Sequence, residues 1–533
     1  MLLFSFSSDR PEQAGIPLPP RSGLLVSGIR AACLYVRPGG FAIADVMIDI
    51  KAKIHDKFSV EFKVGFVADG ERGNDFAINT WIFLPNSLDI NPATYGKEDF
   101  YRDVKSNVRF ITPIFPLGEI AGGAAVPLEH IRRALSGLAA DPSREHVADY
   151  EYHIKMFSAI VKSAMREAVY AVEECGTASV AEELCRKFVA DARRTVDAYR
   201  EAARIIDVPQ VGVDLKHLYD FGDEYMSRLT ESFSFRLLQS LGRFRGDEGA
   251  GTASAAVEEL IREEADYKRA RGYAAVAPDD PPGNRRLVYR HNVLKKYISS
   301  DLYIKLDKKQ DGKTVRQIYY SIAAGIAMVF ATVVAFAFQR RFGNFSGPLF
   351  VALVVSYMLK DRIKELARYY FAHRLGRKYF DHKADINIKE QPIGWLKEGM
   401  DFISDGKVPP EVMEMRGRTP LLEAENRIFD EKIILYRKLV YIDGQELAKY
   451  DEYRLSGIND ILRLHFGRFT LKMDDPQTPL RRLRDDGSVE VIYTDRIYYI
   501  NFVMQFRYGA GSEYKRFRLV VTRNGILSIE EMN

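Results

Sequence analysis

The sequence contains little cysteine and little net charge. Its 533 residues include three cysteines, Cys33, Cys175 and Cys185, which are too few for a disulfide framework and are not spaced like zinc ligands. We therefore predict ordinary thiols in a reducing compartment. The formal net charge of +4 is small for this length and gives no reason to expect nucleic-acid binding.

The sequence also lacks the motifs that usually mark an enzyme, and no run of residues resembles a known family. It contains no GxSxG sequence, and neither Cys175 nor Cys185 has a histidine near it. The glycine-rich segment 246–254 has no following lysine and no preceding strand, so we interpret it as a link and not as a phosphate loop. We expect no catalytic residues and no cofactor; the alternative is a triad assembled from residues distant in sequence.

A long apolar run is the most informative feature that the sequence does contain. Residues 318–338 include no charged side chain, and as a helix they would be about 31 Å long, close to the thickness of a bilayer's hydrocarbon core. A second run, 348–359, would be about 18 Å long. We predict a two-helix transmembrane hairpin over 318–359. Pro348 suits the first turn of a helix, so a shallow or re-entrant second helix is the alternative.

Small residues recur at four-residue spacing in both runs, which lets two helix backbones approach closely. The residues predicted to pack in this way are Ala327, Ala331, Ala335, Ala352 and Ser356. We favour packing within the hairpin over dimerisation, but the sequence does not separate the two.

Basic residues flank the predicted hairpin on both sides. Those expected to contact anionic lipid headgroups are Lys360, Arg362, Lys364, Arg368 and Arg374. The alternative is that these charges only set the topology. Because no cleavable signal is visible, we predict a multi-pass protein of the cell (inner) membrane with both termini in the cytoplasm. The expected partners are the lipid bilayer and unidentified proteins.

Apolar residues alternate with period two near both ends of the chain, as in Val60, Phe62, Val64 and Phe66, and this predicts strands. A period of 3.6 predicts helices in between. The predicted fold class is an α+β membrane protein. Its predicted parts are a flexible arm (1–22), an N-terminal β-rich domain (23–126), a helical bundle (127–273), a linker with a basic helix (274–317), the transmembrane hairpin (318–359), a basic helix with an irregular connection (360–430) and a C-terminal β-rich domain (431–533).

One polar group could bind a metal ion. His146, Asp149 and His153 would share one face of a helix, and imidazole and carboxylate are ligands of divalent metals. Their spacing matches no HExxH-type motif, and a solvated helix face explains it equally well.

Three functions are compatible with these features. We predict a non-enzymatic, membrane-anchored scaffold or regulatory component. The alternatives are an oligomeric, membrane-perturbing or channel-forming effector, and a membrane-bound enzyme acting on a lipid or a nucleotide.

Overall fold

The computed structural model describes residues 48–68, 73–122, 126–244, 248–344, 346–376, 380–388, 391–449, 452–453, 455–509 and 511–532, without the side chains of 48, 49, 126, 248–250, 316 and 371–376. The predicted flexible arm over 1–22 and Cys33 lie outside the described residues.

Within the described ranges, the strands form two large antiparallel sheets and one small one. Their bounds are β1 (Ile48–Asp56), β2 (Ser59–Val67), β3 (Gly73–Leu84), β4 (Val104–Phe110), β5 (Tyr303–Ile304), β6 (Lys309–Gln310), β7 (His382–Ile388), β8 (Gln391–Ile403), β9 (Lys432–Asp443), β10 (Gly457–His465), β11 (Gln477–Leu483), β12 (Val489–Asp495), β13 (Tyr498–Tyr508), β14 (Gly511–Thr522) and β15 (Gly525–Met532). One sheet has the order β1-β2-β10-β4-β5, another β15-β14-β13-β3-β9-β8-β7-β6, and β11 pairs with β12.

Twelve α-helices lie in the described residues. Their bounds are α1 (Lys97–Asp103), α2 (Val126–Ala140), α3 (Arg144–Glu174), α4 (Ala178–Ala202), α5 (Val213–Leu241), α6 (Glu248–Arg271), α7 (Pro281–Ile298), α8 (Lys313–Phe342), α9 (Gly347–Gly376), α10 (Pro410–Arg416), α11 (Pro420–Asn426) and α12 (Gly444–Lys449). Helices α2 to α7 form a helical bundle, in which α3 contacts α2, α4, α5 and α7.

The prediction of two separate β domains is wrong, because strands from both ends of the chain share the same sheets. Strand β3 lies between β9 and β13, and β2 pairs with β10. Antiparallel pairing requires only complementary backbone groups and matching apolar faces, so partners can be distant in sequence. The first and last parts of the chain therefore fold together.

The alternating residues of β2 explain how the two large sheets pack. Phe62 and Phe66 are buried, with ring centroids 5.2 Å from Phe502 and 5.1 Å from Phe76 in the eight-stranded sheet. Burial of such a side chain contributes roughly 1.5–3 kcal/mol. The resulting core continues into the bundle through α3.

A buried ion pair also joins the two sheets. Lys438 of β9 and Asp460 of β10 are each 2% exposed and form a salt bridge. The hydroxyl of Ser106 in β4 donates to Asp460 at 2.9 Å, and Lys438 donates to that hydroxyl at 3.1 Å. Each charge is thus balanced where water cannot reach it.

The predicted two-helix transmembrane hairpin is wrong. Among the described residues, α8 is the one helix that is long and apolar enough to cross a membrane. The apolar run of α9 ends after twelve residues at Lys360, Asp361 and Arg362. That run covers about 18 Å of a hydrocarbon core about 30 Å thick. The predicted multi-pass location in the cell membrane is wrong for the same reason.

We expect Asp460→Asn to lower the free energy of unfolding by about 3–5 kcal/mol, because Lys438 would remain buried without a counter-charge. The double variant Lys438→Met/Asp460→Leu should regain most of that loss, because it removes both charges. Urea unfolding followed by tryptophan fluorescence measures both values. A loss below about 1 kcal/mol for Asp460→Asn would show that the pair is not buried as described.

Candidate functional site

Helices α8 and α9, together called the helical arm, are connected to the rest of the protein at one place. The chain enters the arm from β6 and returns in β7, and these strands pair with each other through Lys309 opposite Lys383 and Gln310 opposite His382. A four-residue connection joins the two helices, which pack side by side. Both ends of the arm are therefore fixed at the same edge of the eight-stranded sheet.

A buried carboxylate holds the two chain segments that flank the arm. Glu398 of β8 has no exposed surface and accepts hydrogen bonds from Lys308 at 2.6 Å and from the Tyr436 hydroxyl at 2.8 Å. His382 Nδ1 lies 3.5 Å from the same carboxylate. Burial alone would raise the pKa of Glu398, but contacts with His382 and Lys308 and the charge of Lys438 hold it well below its usual range.

Asp381 also stabilises the place where the helical arm is connected to the sheet. Its carboxylate accepts hydrogen bonds from Lys97 at 2.7 Å, from the Tyr101 hydroxyl at 2.9 Å and from the backbone N–H of Met400 at 2.8 Å. Helix α1 and strand β8 are thereby tied to the residue that precedes β7. We call the place where β6 and β7 connect the arm to the sheet the root of the arm. Hydrogen bonds hold it in position.

The surface of the arm is strongly apolar. Only 11% of the most apolar 18-residue window of α8 is buried in the protein. Both helices present large side chains to the exterior: Ile318, Ile322, Ile326, Met328, Val329, Val333, Phe336, Phe350, Val351, Leu353, Val354, Val355, Tyr357, Met358 and Leu359. A continuous exposed apolar surface of this kind marks an interaction with a membrane or another protein.

Small residues lie where the two helices of the arm face each other. Ala327, Ala352 and Ser356 are buried, whereas Ala331 and Ala335 are half-buried. The hydroxyls of Ser321 and Thr332 donate to carbonyl oxygens one turn earlier in α8, at 3.0 and 2.9 Å. These polar groups are satisfied within the helix, which suits an apolar environment.

A basic cleft of about 690 Å³ opens at the root of the arm. Its lining includes Lys313, Lys364, Arg368, Gln310, Gln317 and Tyr320. The Arg368 guanidinium lies 5.2 Å from the centre of the Tyr320 ring. Within the described part of the chain, the cleft lining includes amide, hydroxyl and cationic groups but no carboxylate or imidazole. This donor-rich chemistry suits the binding of an anion such as a phosphate group.

The residues predicted to contact lipid headgroups have different surroundings in the structure. Lys364 and Arg368 line the basic cleft. Lys360 lies 3.8 Å over the ring of Tyr357, and Arg362 is exposed nearby on α9. Arg374 belongs to α9, but its side chain lies outside the described part of the structure. The sequence did not point to Lys313, Gln310 or Gln317 as neighbours of these cations.

The predicted metal ligands do not all lie together in the structure. His146 turns to the N-terminus of α3, where its Nδ1 lies 2.7 Å from the carbonyl oxygen of Asp141. His153 Nε2 instead lies 3.3 Å from Asp149 and 3.2 Å from Glu452. His130 of α2 completes the group, and its ring stacks on His153 with centroids 5.3 Å apart. We call His130, Asp149, His153 and Glu452 the histidine cluster.

Comparisons with known proteins identify no family. No family model and no curated protein matches the chain. Among solved structures, the chain is similar to a de novo designed 16-helix transmembrane nanopore, with 12% identity over 47% of this chain and 92% of that chain. The TM-score is 0.14, so this likeness carries no argument about fold or function.

We expect Glu398→Gln to lower the free energy of unfolding by about 3 kcal/mol at neutral pH. Because the folded-state pKa of Glu398 is lowered, its contribution is complete above the unfolded-state pKa of about 4.3 and is lost as the pH falls through the folded-state value. The variant should therefore lose less stability than the wild type below about pH 4.3.

Urea unfolding at several pH values measures this difference. Glu530→Gln is the matched control, because it breaks an ion pair with Arg518 that is about one-third exposed on both sides. That change should cost less than about 1 kcal/mol. Equal stability losses for the two variants would refute the role of Glu398 at the root of the arm.

Proposed function

We propose that this protein is a non-enzymatic scaffold or regulatory component that attaches to anionic lipid membranes through its helical arm. The observation that carries the proposal is the exposed apolar surface of the arm, which is flanked by cations at both ends. Each large apolar side chain that moves fully from water to hydrocarbon contributes roughly 1.5–3 kcal/mol. Many half-exposed side chains together provide a strong driving force for insertion.

The chain path favours attachment from one side of the bilayer. Since β6 and β7 pair, the protein body lies at one end of the arm. Arg340 and Arg341 lie at the other end and are exposed. A cation at the bilayer centre costs about 2.5–3.5 kcal/mol, so the far end should also reach headgroups. An arm lying along one leaflet meets both conditions, because a helix is about 10 Å wide and a leaflet core is about 15 Å deep.

The basic cleft supports a preference for anionic lipids. Lys313, Lys364 and Arg368 lie beside the apolar part of the arm, at the level where headgroups would be. Each cation near an anionic leaflet contributes about 1 kcal/mol. Phosphate or carboxylate oxygens of a headgroup could accept hydrogen bonds from these cations and from Gln317.

Buried polar groups of the protein body support a scaffold over a lipid-modifying enzyme. Glu398 and Asp460 accept hydrogen bonds between strands, from Tyr436 and Ser106 respectively. In the bundle, Arg200 forms a two-point ion pair with Glu264 and donates to Asp223 at 3.1 Å, so it joins three helices. These groups hold elements together, and the described residues of the basic cleft offer no general base.

We expect the protein to float with phosphatidylserine-containing vesicles in a density gradient. A variant in which 312–380 are replaced by Asn-Gly should remain folded and stay in the dense fraction, because β6 and β7 are antiparallel neighbours that a short turn can join. Circular dichroism and thermal unfolding check the fold. A folded armless variant that floats as well as the full chain would contradict the proposal.

We expect Lys364→Gln/Arg368→Gln to weaken binding to phosphatidylserine vesicles by about 2 kcal/mol, or roughly 30-fold. Binding to neutral phosphatidylcholine vesicles should change little. Lys51→Gln/Arg481→Gln removes the same charge from exposed positions outside the arm and serves as the control. Equal losses for both double variants would show a general charge effect and not a headgroup site.

A further inference from the structure

We propose that the histidine cluster binds a single Zn²⁺ ion, with His130, His153 and Glu452 as ligands and Asp149 as the fourth. The cluster joins three separate parts of the chain. His130 comes from α2, Asp149 and His153 come from α3, and Glu452 follows α12 on the way to β10. The ion would therefore fasten the segment before a central strand of the five-stranded sheet to the helical bundle.

The distances in the cluster suit a tetrahedral ion. The ligand atoms of His130, His153 and Glu452 all lie within 4.8 Å of one another. His153 Nε2 is 3.2 Å from Glu452 and 3.3 Å from Asp149. Zinc bonds to nitrogen and oxygen are about 2.0–2.1 Å, which places tetrahedral ligand atoms about 3.3 Å apart. Small shifts of side chains would complete the geometry.

Local structure orients the two imidazole rings before any ion binds. Asp149 and His153 are four residues apart on α3 and so share one face of the helix. The rings of His130 and His153 are nearly parallel, with an angle of 6° between their planes. His153 is 4% exposed, whereas Glu452 is exposed and can admit an ion from solvent.

A tyrosine supplies the outer contact that zinc-binding histidines usually have. The hydroxyl of Tyr453 lies 2.6 Å from His153 Nδ1, the nitrogen that faces away from the carboxylates. With zinc on Nε2, His153 Nδ1–H would donate to the Tyr453 oxygen, and this fixes the ring orientation.

The competing arrangement is an ion pair without metal. A protonated His153 beside two carboxylates would give similar distances. The two arrangements differ in what the removal of His130 does. In the ion pair His130 only stacks on His153, whereas in the metal site it is a ligand.

The test is zinc binding by the full-length purified protein. After dialysis against Zn²⁺ and then buffer, elemental analysis should find one zinc per chain, and Co²⁺ in its place should give the absorption of a tetrahedral centre. We expect His130→Ala and Glu452→Gln each to weaken zinc binding by about 100-fold or more, beyond the 10–100-fold typical of outer contacts. His146→Ala is the matched control, because it removes an imidazole outside the cluster.

A conservative variant and a stability measurement keep the test decisive. Tyr453→Phe keeps the ring volume and should weaken zinc binding by about 10–100-fold. Added Zn²⁺ should raise the melting temperature of the wild type and of His146→Ala but not that of His130→Ala. A wild-type protein that binds zinc more weakly than about 1 μM, or equal binding by His130→Ala and the wild type, would overturn the proposal.

Discussion

The buried carboxylate of Glu398 is the contact on which the arrangement of this protein depends. It accepts hydrogen bonds from Lys308, just before the arm, and lies beside His382, just after it. It also contacts Tyr436 of β9 in the middle of the eight-stranded sheet. An apolar arm is thus connected to the protein body through a buried carboxylate, where electrostatic interactions are stronger than in bulk water. The position of the arm at one sheet edge then determines from which side it can meet a membrane.

Local sequence patterns predicted several strands and helices correctly. They failed where a charged side chain is buried. The alternation of Phe62 and Phe66 and the helical period of the bundle arise from one-sided burial, which a sequence records directly. The sequence predicts an irregular connection where β8 lies, since Pro392, Gly394 and Lys397 interrupt its apolar pattern. Its buried Glu398 also looks like a surface residue until Lys308 and Tyr436 are known. The pairing of β3 with β9 and β13 has no local signal at all.

In the candidate sites, too, the sequence predicts some features, whereas others arise only from the packing of distant segments. The apolar character of the arm, its small residues and the cations Lys364 and Arg368 could be read from composition. Lys313 of α8 lies beside Lys364 and Arg368 of α9 only because the two helices pack together, and the sequence alone does not show this packing. In the histidine cluster, the four-residue spacing of Asp149 and His153 was visible, whereas Glu452 follows them by about three hundred residues. Only the packing of the C-terminal segment on α3 brings these groups together.

The measurement that most directly tests attachment from one side is the labelling of a cysteine at the far end of the arm. Asn344→Cys, in a chain whose three native cysteines are replaced by alanine, would be bound to preformed anionic vesicles and treated with a membrane-impermeant maleimide. Attachment along one leaflet predicts full labelling from the outside while the protein remains bound. Protection of residue 344 until detergent is added would mean that the arm crosses the bilayer, and would contradict this account.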